Sequence, residues 1–226
     1  MLTALLTRAR DNRLVWDLLG PIYNRNIYGA LHELYGHIAE GLDLTDGARV
    51  LDVGTGPGYA ALHVAKRHPS STVFGIDFSP MQVRAAERRR RRRGIGNCSF
   101  TKANAMQLPF DSGSFGAAVS VGSIKHWPDA CRGLREMGRV LRPGGQLCIA
   151  ETDRDVSDEE FRRFLARFSI WYIWGPLLAW GTRRIVFGKS YSEVQVVSFM
   201  EEAGFSGVRA ERLEGCPYVI VKAAKT

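Results

Sequence analysis

Residues 50–58 read VLDVGTGPG, a short apolar run followed at once by three glycines at alternate positions. The first four residues have the length and β-branched composition of a buried strand. Gly54, Gly56 and Gly58 carry no side chains, so a ligand can approach the backbone of the turn that follows the strand. The stretch therefore predicts a strand, a glycine-rich turn and a helix, which is the opening unit of an α/β fold.

Further strands and helices alternate after this unit. Short runs rich in Val, Ile and Phe, each bounded by turn residues, lie at 49–54, 72–77, 99–101, 115–122 and 146–152. Ser79 can cap a helix that has Pro80 at its first position and Gly94 just past its end, and Pro128 is predicted to start another helix. The alternation predicts a parallel sheet with helices on both faces.

The last part of the chain breaks the alternation. Ser192 and Gln195 predict a capping box for a helix that closes at Gly204, and strand-like runs follow at 208–213 and 218–222. These two runs predict an antiparallel hairpin at one side of the sheet, which gives seven strands in all. We expect one domain made of four segments: an N-terminal helical cover (1–42), a core (43–155), a helical insertion or lid (156–190), and a closing helix with the hairpin (191–226).

The glycine spacing and one acidic residue point to the kind of ligand. The turn reads GxGxG, whereas dinucleotide-binding turns read GxGxxG and direct a helix N-terminus at a pyrophosphate. The second strand ends in GIDFSPM at residues 75–81, which places Asp77 at the carboxyl edge of the sheet, where a carboxylate can accept both hydroxyls of a ribose. A helix-capping or turn aspartate is the alternative for Asp77.

Three more motifs complete a recognisable pattern: ANAMQLPF at 103–110, SVGSIKHWPD at 120–129 and RVLRPGG at 139–145. Together with the glycine turn, they make residues 20–155 resemble the class I S-adenosylmethionine-dependent methyltransferases, particularly relatives of the ubiquinone and menaquinone biosynthesis enzymes. The resemblance implies a Rossmann-like doubly wound sheet and S-adenosylmethionine as the cofactor. That ligand has no phosphate, which suits the tighter turn.

The resemblance also implies which residues bind the cofactor. They are Tyr23, Asp52, Gly54, Thr55, Gly56, Gly58, Asp77, Phe78, Met81, Asn104, Ala105 and Gly122. The glycines would meet the methionine end, Asp77 the ribose, and Asn104 and Ala105 the adenine, with Met81 lining the adenine slot. Asn104 departs from the aspartate that is usual in the family, although an amide carbonyl can still pair with the adenine edge.

The acceptor should meet the methyl group just after the fourth strand. His126 is the best candidate for a general base, which is needed only when the acceptor carries a proton of unsuitable pKa, and ordinary packing or capping is the alternative. Lys125 either orients an acidic substrate or faces solvent. The chain lacks the Asn/Asp-Pro-Pro-aromatic motif that follows this strand in methyltransferases of nucleic-acid bases, which argues against a nucleic-acid substrate.

Two aromatic segments outside the core have open interpretations. Residues 170–174, IWYIW, follow a capping box of Ser157 and Glu160 and are apolar on every side. They form a helix packed on the sheet edge, or a lid in which Trp171 and Trp174 wall a hydrophobic acceptor pocket, or a peripheral membrane contact flanked by arginines. Tyr23 is expected near the cofactor carboxylate or the acceptor, with simple packing as its alternative.

Composition excludes several classes of protein. The net charge is +8, but six of these eight charges lie in the run Arg88 to Arg93, so the excess is a local patch, for which solvated surface is favoured over contact with phosphates or lipid headgroups. Four scattered cysteines show no zinc-site spacing and no disulfide framework, which fits a reducing cytoplasm. The longest apolar stretch, 168–181, is too short to span a bilayer, and no cleavable leader is apparent, so a soluble, cytoplasmic protein is expected.

The function predicted from the sequence is in-line transfer of a methyl group from S-adenosylmethionine to a small acceptor. The acceptor is expected to be hydrophobic or aromatic, in the class of quinones, lipids or polyketides. Two alternatives from other classes remain: a nicotinamide-dependent oxidoreductase, which would share the first strand, the glycines and Asp77, and a non-catalytic cofactor-binding protein. The methylated atom and the oligomeric state stay open.

Overall fold

A computed structural model describes residues 31–167, 183, 187 and 189–226 of the chain. Within this part, seven strands form one sheet in the order β3-β2-β1-β4-β5-β7-β6. The first five strands run parallel, and the last two are antiparallel to their neighbours. The strands are β1 (Arg49–Val53), β2 (Thr72–Asp77), β3 (Cys98–Lys102), β4 (Phe115–Val121), β5 (Leu141–Thr152), β6 (Phe205–Arg212) and β7 (Tyr218–Lys225). The predicted doubly wound sheet with its C-terminal antiparallel hairpin is confirmed.

Alternation along the strands divides the core between the two faces of the sheet. Val50 belongs to one buried cluster and its neighbour Leu51 to the other, because successive side chains point to opposite faces. The first cluster includes Leu34 and Ile38 of a helical segment at 31–40, and the second includes Met137 from a helix on the opposite face. Helices thus cover both faces, which explains why strands β1 and β4 are buried along almost their whole length.

Five further helices lie in the described residues: α1 (Tyr59–Arg67), α2 (Pro80–Arg92), α3 (Ala130–Val140), α4 (Asp158–Leu165) and α5 (Glu193–Glu202). The predicted cap of α2 is confirmed, since the Ser79 hydroxyl accepts a hydrogen bond from the Gln82 amide. The capping boxes of α4 and α5 are also formed as predicted. The predicted start of α3 at Pro128 is wrong by two residues, because the Asp129 carboxylate accepts the Arg132 amide and caps a helix that begins at Ala130.

The arginine run divides into exposed and structural members. Residues Arg88, Arg91, Arg92 and Arg93 are exposed. Arg90 instead pairs with Glu87 at 2.6 Å and donates to the Ile95 carbonyl, which ties the end of α2 to the loop before β3. The run is therefore not uniformly solvated.

The hairpin brings the start of β7 to the edge of the sheet where the parallel strands end. Because β7 is antiparallel to β5, its first residue, Tyr218, pairs with Thr152, the last residue of β5. Much of the apolar insertion, including Trp171 and Trp174, lies outside the described residues, as does most of the N-terminal cover. In the described part of the chain, no helix is long and apolar enough to cross a membrane.

Candidate active site

A cavity of about 490 Å³ lies at the carboxyl ends of β1, β2, β3 and β4. The turn after β1, Asp77 at the end of β2, the segment after β3 and the turn after β4 all contribute to its wall, and Tyr218 adds the start of β7. Ligands of open α/β sheets bind at this edge, where the strand order reverses on either side of β1. The topology therefore makes this cavity the candidate active site.

The glycine turn after β1 needs glycine for two reasons. Gly54, Gly56 and Gly58 have φ of 73°, 53° and 83°, in the left-handed region that disfavours other residues. In addition, a Cβ on Gly54 would lie 1.8 Å from the Ser123 hydroxyl oxygen, so the turns after β1 and β4 touch at this point. A Cβ on Gly56 would meet no atom within 4 Å, and since Gly56 lines the cavity, glycine here leaves its backbone open to a ligand.

Asp77 fixes the glycine turn from the end of the neighbouring strand. Its Oδ2 accepts the Gly56 amide at 2.8 Å, and its Oδ1 accepts the Ser79 amide at 2.8 Å. The turn interpretation of Asp77 therefore holds, but Asp77 also lines the cavity. Each carboxylate oxygen can accept more than one hydrogen bond, so the same side chain can receive ligand hydroxyls.

Asp52 lies on β1, two residues before the first glycine of the turn, and only 1% of its surface is exposed. Its Oδ2 accepts the Thr55 hydroxyl at 2.6 Å and the Ala61 amide at 3.1 Å, which joins β1 to the first turn of α1. Burial raises the pKa of this carboxyl to about 7, against the lowering effect of the two hydrogen bonds, and the nearby charge of Asp77 adds to the increase. Asp52 and Asp77 both line the cavity.

Asn104 shows how the departure from aspartate is accommodated. Its Oδ1 accepts the Met106 amide at 2.9 Å, which forms a local turn after β3. Asn104, Ala105 and Met106 all line the cavity together with Phe78, whose side chain is 59% exposed. An exposed aromatic ring and a polar amide in the lining of one cavity suit a flat heterocycle.

The opposite end of the cavity is built by the turn after β4. His126 ends a short 3-10 turn and lines the cavity, and the indole Nε1 of Trp127 donates to the Ser123 hydroxyl at 3.0 Å. A Cβ on Gly122 would lie 3.4 Å from the Tyr218 hydroxyl oxygen, so that hydroxyl lies beside the turn. An imidazole, a phenol and an indole thus share one wall, which offers both apolar area and a proton acceptor.

Lys125 points away from this wall into the protein. Its side chain is 3% exposed and forms an ion pair with Glu151, which is fully buried. The Lys125 Nζ also donates to the Gly122 carbonyl at 3.0 Å, while Glu151 accepts the Thr152 amide at 2.7 Å. The expectation that Lys125 faces solvent is wrong, because β5 supplies a buried carboxylate directly beneath the turn.

Comparisons with known proteins agree with this geometry. A family described as "Methyltransferase domain" matches residues 50–145. The O-methyltransferase rstn1 of Aspergillus nomiae is 35% identical over 159 residues, which cover 69% of each chain. The chain belongs to the class I S-adenosylmethionine-dependent methyltransferases. The predicted family is thereby confirmed, and the comparisons do not favour a nicotinamide-dependent oxidoreductase.

Other members and structures define the extent of the similarity to this methyltransferase family. A chloroplastic 2-methyl-6-phytyl-1,4-hydroquinone methyltransferase of Oryza sativa is 31% identical over 73% of this chain and 41% of its own length. The chain spans between 40% and 45% of the length of several such curated relatives. The fold matches a SAM-dependent methyltransferase from Aquifex aeolicus (TM-score 0.64, 22% identity, 85% of this chain and 89% of that chain) and the [4+2]-cyclase SpnF (TM-score 0.72, 22% identity, 94% of each chain).

The residues present fit the methyltransferase cofactor. S-Adenosylmethionine carries a sulfonium cation, and the Asp77 carboxylate lines the cavity together with the buried carboxyl of Asp52. The open backbone at Gly56 leaves room for a chain close to the turn, and Phe78 offers an exposed ring for the adenine. These features suit a cationic nucleoside and need no phosphate-binding group.

The structure brings most of the predicted site residues together. Those that line the cavity are Asp52, Gly54, Thr55, Gly56, Asp77, Phe78, Asn104, Ala105, Gly122 and His126. Gly58, Met81 and Lys125 do not line it. Gly58 packs instead against helix α2 and β3, since a Cβ there would lie 2.8 Å from both Ala86 and Phe100, and the Met81 sulfur lies 3.0 Å from an Arg84 nitrogen. Tyr23, Trp171 and Trp174 lie outside the described residues.

Several lining residues were missed from the sequence. Gln82, which lies one position after Met81, is buried and lines the cavity because it occupies the inward face of α2. Tyr35 and Trp127 also contribute, and Tyr218 comes from the distant hairpin. Only Tyr218 carried a usable signal: the first residue of a strand antiparallel to β5 must lie at the edge where the parallel strands end.

Proposed function

We propose that this chain transfers the methyl group of S-adenosylmethionine to a small hydrophobic or aromatic acceptor, in the class of quinols, phenolic lipids or polyketides. The observation that carries the proposal is one continuous cavity whose first wall has Gly56, Asp52 and Asp77 and whose second wall has His126, Trp127 and Tyr218. The name of one relative, a phytyl-hydroquinone methyltransferase, supports an aromatic acceptor, and that of another, an O-methyltransferase, is compatible with an acceptor hydroxyl.

The chemistry requires positioning more than proton transfer. When bound, S-adenosylmethionine supplies a methyl carbon already activated by the sulfonium, and in-line alignment of the acceptor accounts for up to about 7–11 kcal/mol of acceleration in favourable cases. Asp77 would orient the ribose, and Asn104 with Ala105 the adenine. The aromatic wall would hold the acceptor ring, with water excluded by Trp127 and Tyr218.

His126 is proposed as the base for an acceptor hydroxyl. Its imidazole lines the second wall of the cavity, and a phenol must lose a proton before or during methylation. Tyr23, Trp171 and Trp174 are proposed to complete the chamber from the N-terminal cover and the insertion, and the apolar insertion is proposed to contact a membrane surface that delivers the acceptor. Lys125 is assigned no contact with the acceptor.

The test is a turnover assay with S-[methyl-¹⁴C]adenosylmethionine and three acceptors: a prenylated hydroquinone, a short-chain hydroquinone and a soluble catechol. We expect labelled product with at least one of the hydroquinones. We also expect His126→Gln to lower kcat, with little change in KM, and to remove the acidic limb of the pH profile. Tight cofactor binding by the wild type without labelled product from any of the three would contradict this choice of acceptor.

A further inference from the structure

Arg89 makes contacts that set it apart from its neighbours in the arginine run. Its guanidinium donates through Nη1 to the Pro57 carbonyl and through Nη2 to the Tyr59 hydroxyl, the latter at 2.8 Å. The guanidinium carbon also lies 4.0 Å from the centroid of the Tyr59 ring. Arg88, the preceding residue, is exposed. One arginine of the run thus contacts the glycine turn, although it lies on helix α2, 32 residues after Pro57.

The Pro57 carbonyl lies just before helix α1 and receives no hydrogen bond from it. The first bond of the helix joins the Leu62 amide to the carbonyl of the N-cap residue Gly58, and the Ala61 amide, which has no helical partner, donates to Asp52 Oδ2 at 3.1 Å. Arg89 supplies a charge-assisted hydrogen bond to the Pro57 carbonyl, which lies between two glycines of positive φ, Gly56 and Gly58.

Tyr59 extends the influence of Arg89 across the cavity wall. Its side chain is buried, and its ring stacks on that of Tyr35 with centroids 5.8 Å apart. Pro57, Tyr59 and Tyr35 all line the cavity, whereas Arg89 itself does not. One guanidinium therefore braces the glycine turn, the first residue of α1 and, through the stacked rings, the helical segment 31–40.

We infer that Arg89 is a positioning residue that sets the affinity of the glycine turn for S-adenosylmethionine. Three glycines leave the backbone of the turn open to the cofactor but also make it conformationally free. The planar guanidinium of Arg89 restricts this freedom before the cofactor binds. The inference rests on the proposed function only in taking this cavity as the cofactor site. It requires no particular acceptor.

The test compares Arg89→Met, Arg89→Lys and Arg88→Met by calorimetric titration with S-adenosylmethionine. Near-ultraviolet circular dichroism first establishes a temperature at which all four proteins are folded. We expect Arg89→Met to raise the Kd about tenfold, which corresponds to about 1.4 kcal/mol. Arg89→Lys should raise it less, because one ammonium can keep a single contact. Arg88→Met removes the same charge from an exposed site and should leave the Kd unchanged.

Combining Arg89→Met with Tyr59→Phe separates an effect on the geometry of the cofactor site from a general loss of stability. If Arg89 acts through the Tyr59 hydroxyl, the effects of Arg89→Met and Tyr59→Phe on the Kd will be less than additive. A lower Tm of Arg89→Met with an unchanged Kd would overturn the inference, as would an equal change in Arg88→Met. Failure of the wild type to bind S-adenosylmethionine would overturn the cofactor site together with the inference, whereas wild-type binding that is insensitive to Arg89→Met overturns the role of Arg89 alone.

Discussion

Asp52 is a buried acid whose ionisation is linked to folding. In an unfolded chain it ionises near 3.8, whereas burial raises its pKa in the folded protein to about 7. Between these two pH values the folded state holds more protons than the unfolded state, so the free energy of unfolding falls as the pH rises. The contribution of the protonated Asp52 carboxyl to the free energy of unfolding is complete below about pH 4 and is lost by about pH 7. A shift of this size corresponds to about 4 kcal/mol.

We therefore predict that Asp52→Asn removes this pH dependence. The amide oxygen can still accept the Thr55 hydroxyl and the Ala61 amide, so the fold should persist. Urea unfolding from pH 4.5 to 8 should show wild-type stability decreasing toward neutral pH relative to the variant. Asp111→Asn, at an exposed position, is the control and should run parallel to the wild type. Parallel profiles for Asp52→Asn as well would refute the raised pKa.

Among the elements, the glycine turn offers a test that separates backbone strain from a collision. Gly54 and Gly47 have nearly the same φ, 73° and 74°. A Cβ on Gly47 would meet no atom within 4 Å, whereas a Cβ on Gly54 would lie 1.8 Å from the Ser123 Oγ. We predict that Gly47→Ala costs about 1 kcal/mol, the order expected for alanine at a positive φ. Gly54→Ala should cost at least twice as much and also abolish cofactor binding. Urea unfolding and calorimetric titration check the two effects, and equal losses would contradict the collision.

The Lys125–Glu151 pair joins the turn after β4 to strand β5. Removing one member of a buried pair leaves an uncompensated charge, which typically costs about 3–5 kcal/mol. We predict this loss for Lys125→Met. Adding Glu151→Gln should recover part of it, because the second substitution removes the stranded charge and keeps an oxygen for the Thr152 amide. Urea unfolding measures both.

The control for this pair is the exposed ion pair Arg163–Glu159, whose side chains are 69% and 74% exposed. Breaking it by Arg163→Met should cost less than about 1 kcal/mol. A further loss of stability on adding Glu151→Gln to Lys125→Met would show that the Glu151 carboxylate stabilises the fold even without Lys125, which would contradict the prediction. The burial of Lys125 could not be read from the sequence, because its partner lies 26 residues away on another strand.

For the molecule as a whole, local patterns predicted the strands, their order of alternation and the caps of three helices. Apolar strand residues such as Val50 and Leu51 indicate burial by their chemistry alone. The helix caps are equally local, because the hydroxyls of Ser79, Ser157 and Ser192 each accept a hydrogen bond from the amide three residues later. The site was predicted less completely. Gln82 reaches the cavity through the rotation of α2 about its axis, which the neighbouring residues do not reveal, whereas the position of Tyr218 follows from the antiparallel pairing that the predicted hairpin implied.

The whole-molecule consequence of the cofactor site is a linked change in stability. A ligand at a hundred times its Kd that binds only the folded state adds about 2.7 kcal/mol, which raises the Tm of a domain of this size by roughly 5–10 °C. We predict this increase with S-adenosylmethionine and none with NAD. In Asp77→Ala, a hundredfold weaker binding would leave about 0.4 kcal/mol at the same concentration, and the shift should nearly vanish. Differential scanning calorimetry measures all three, and a shift with NAD alone would reinstate the nicotinamide alternative, because both ligands would use the same edge of the sheet.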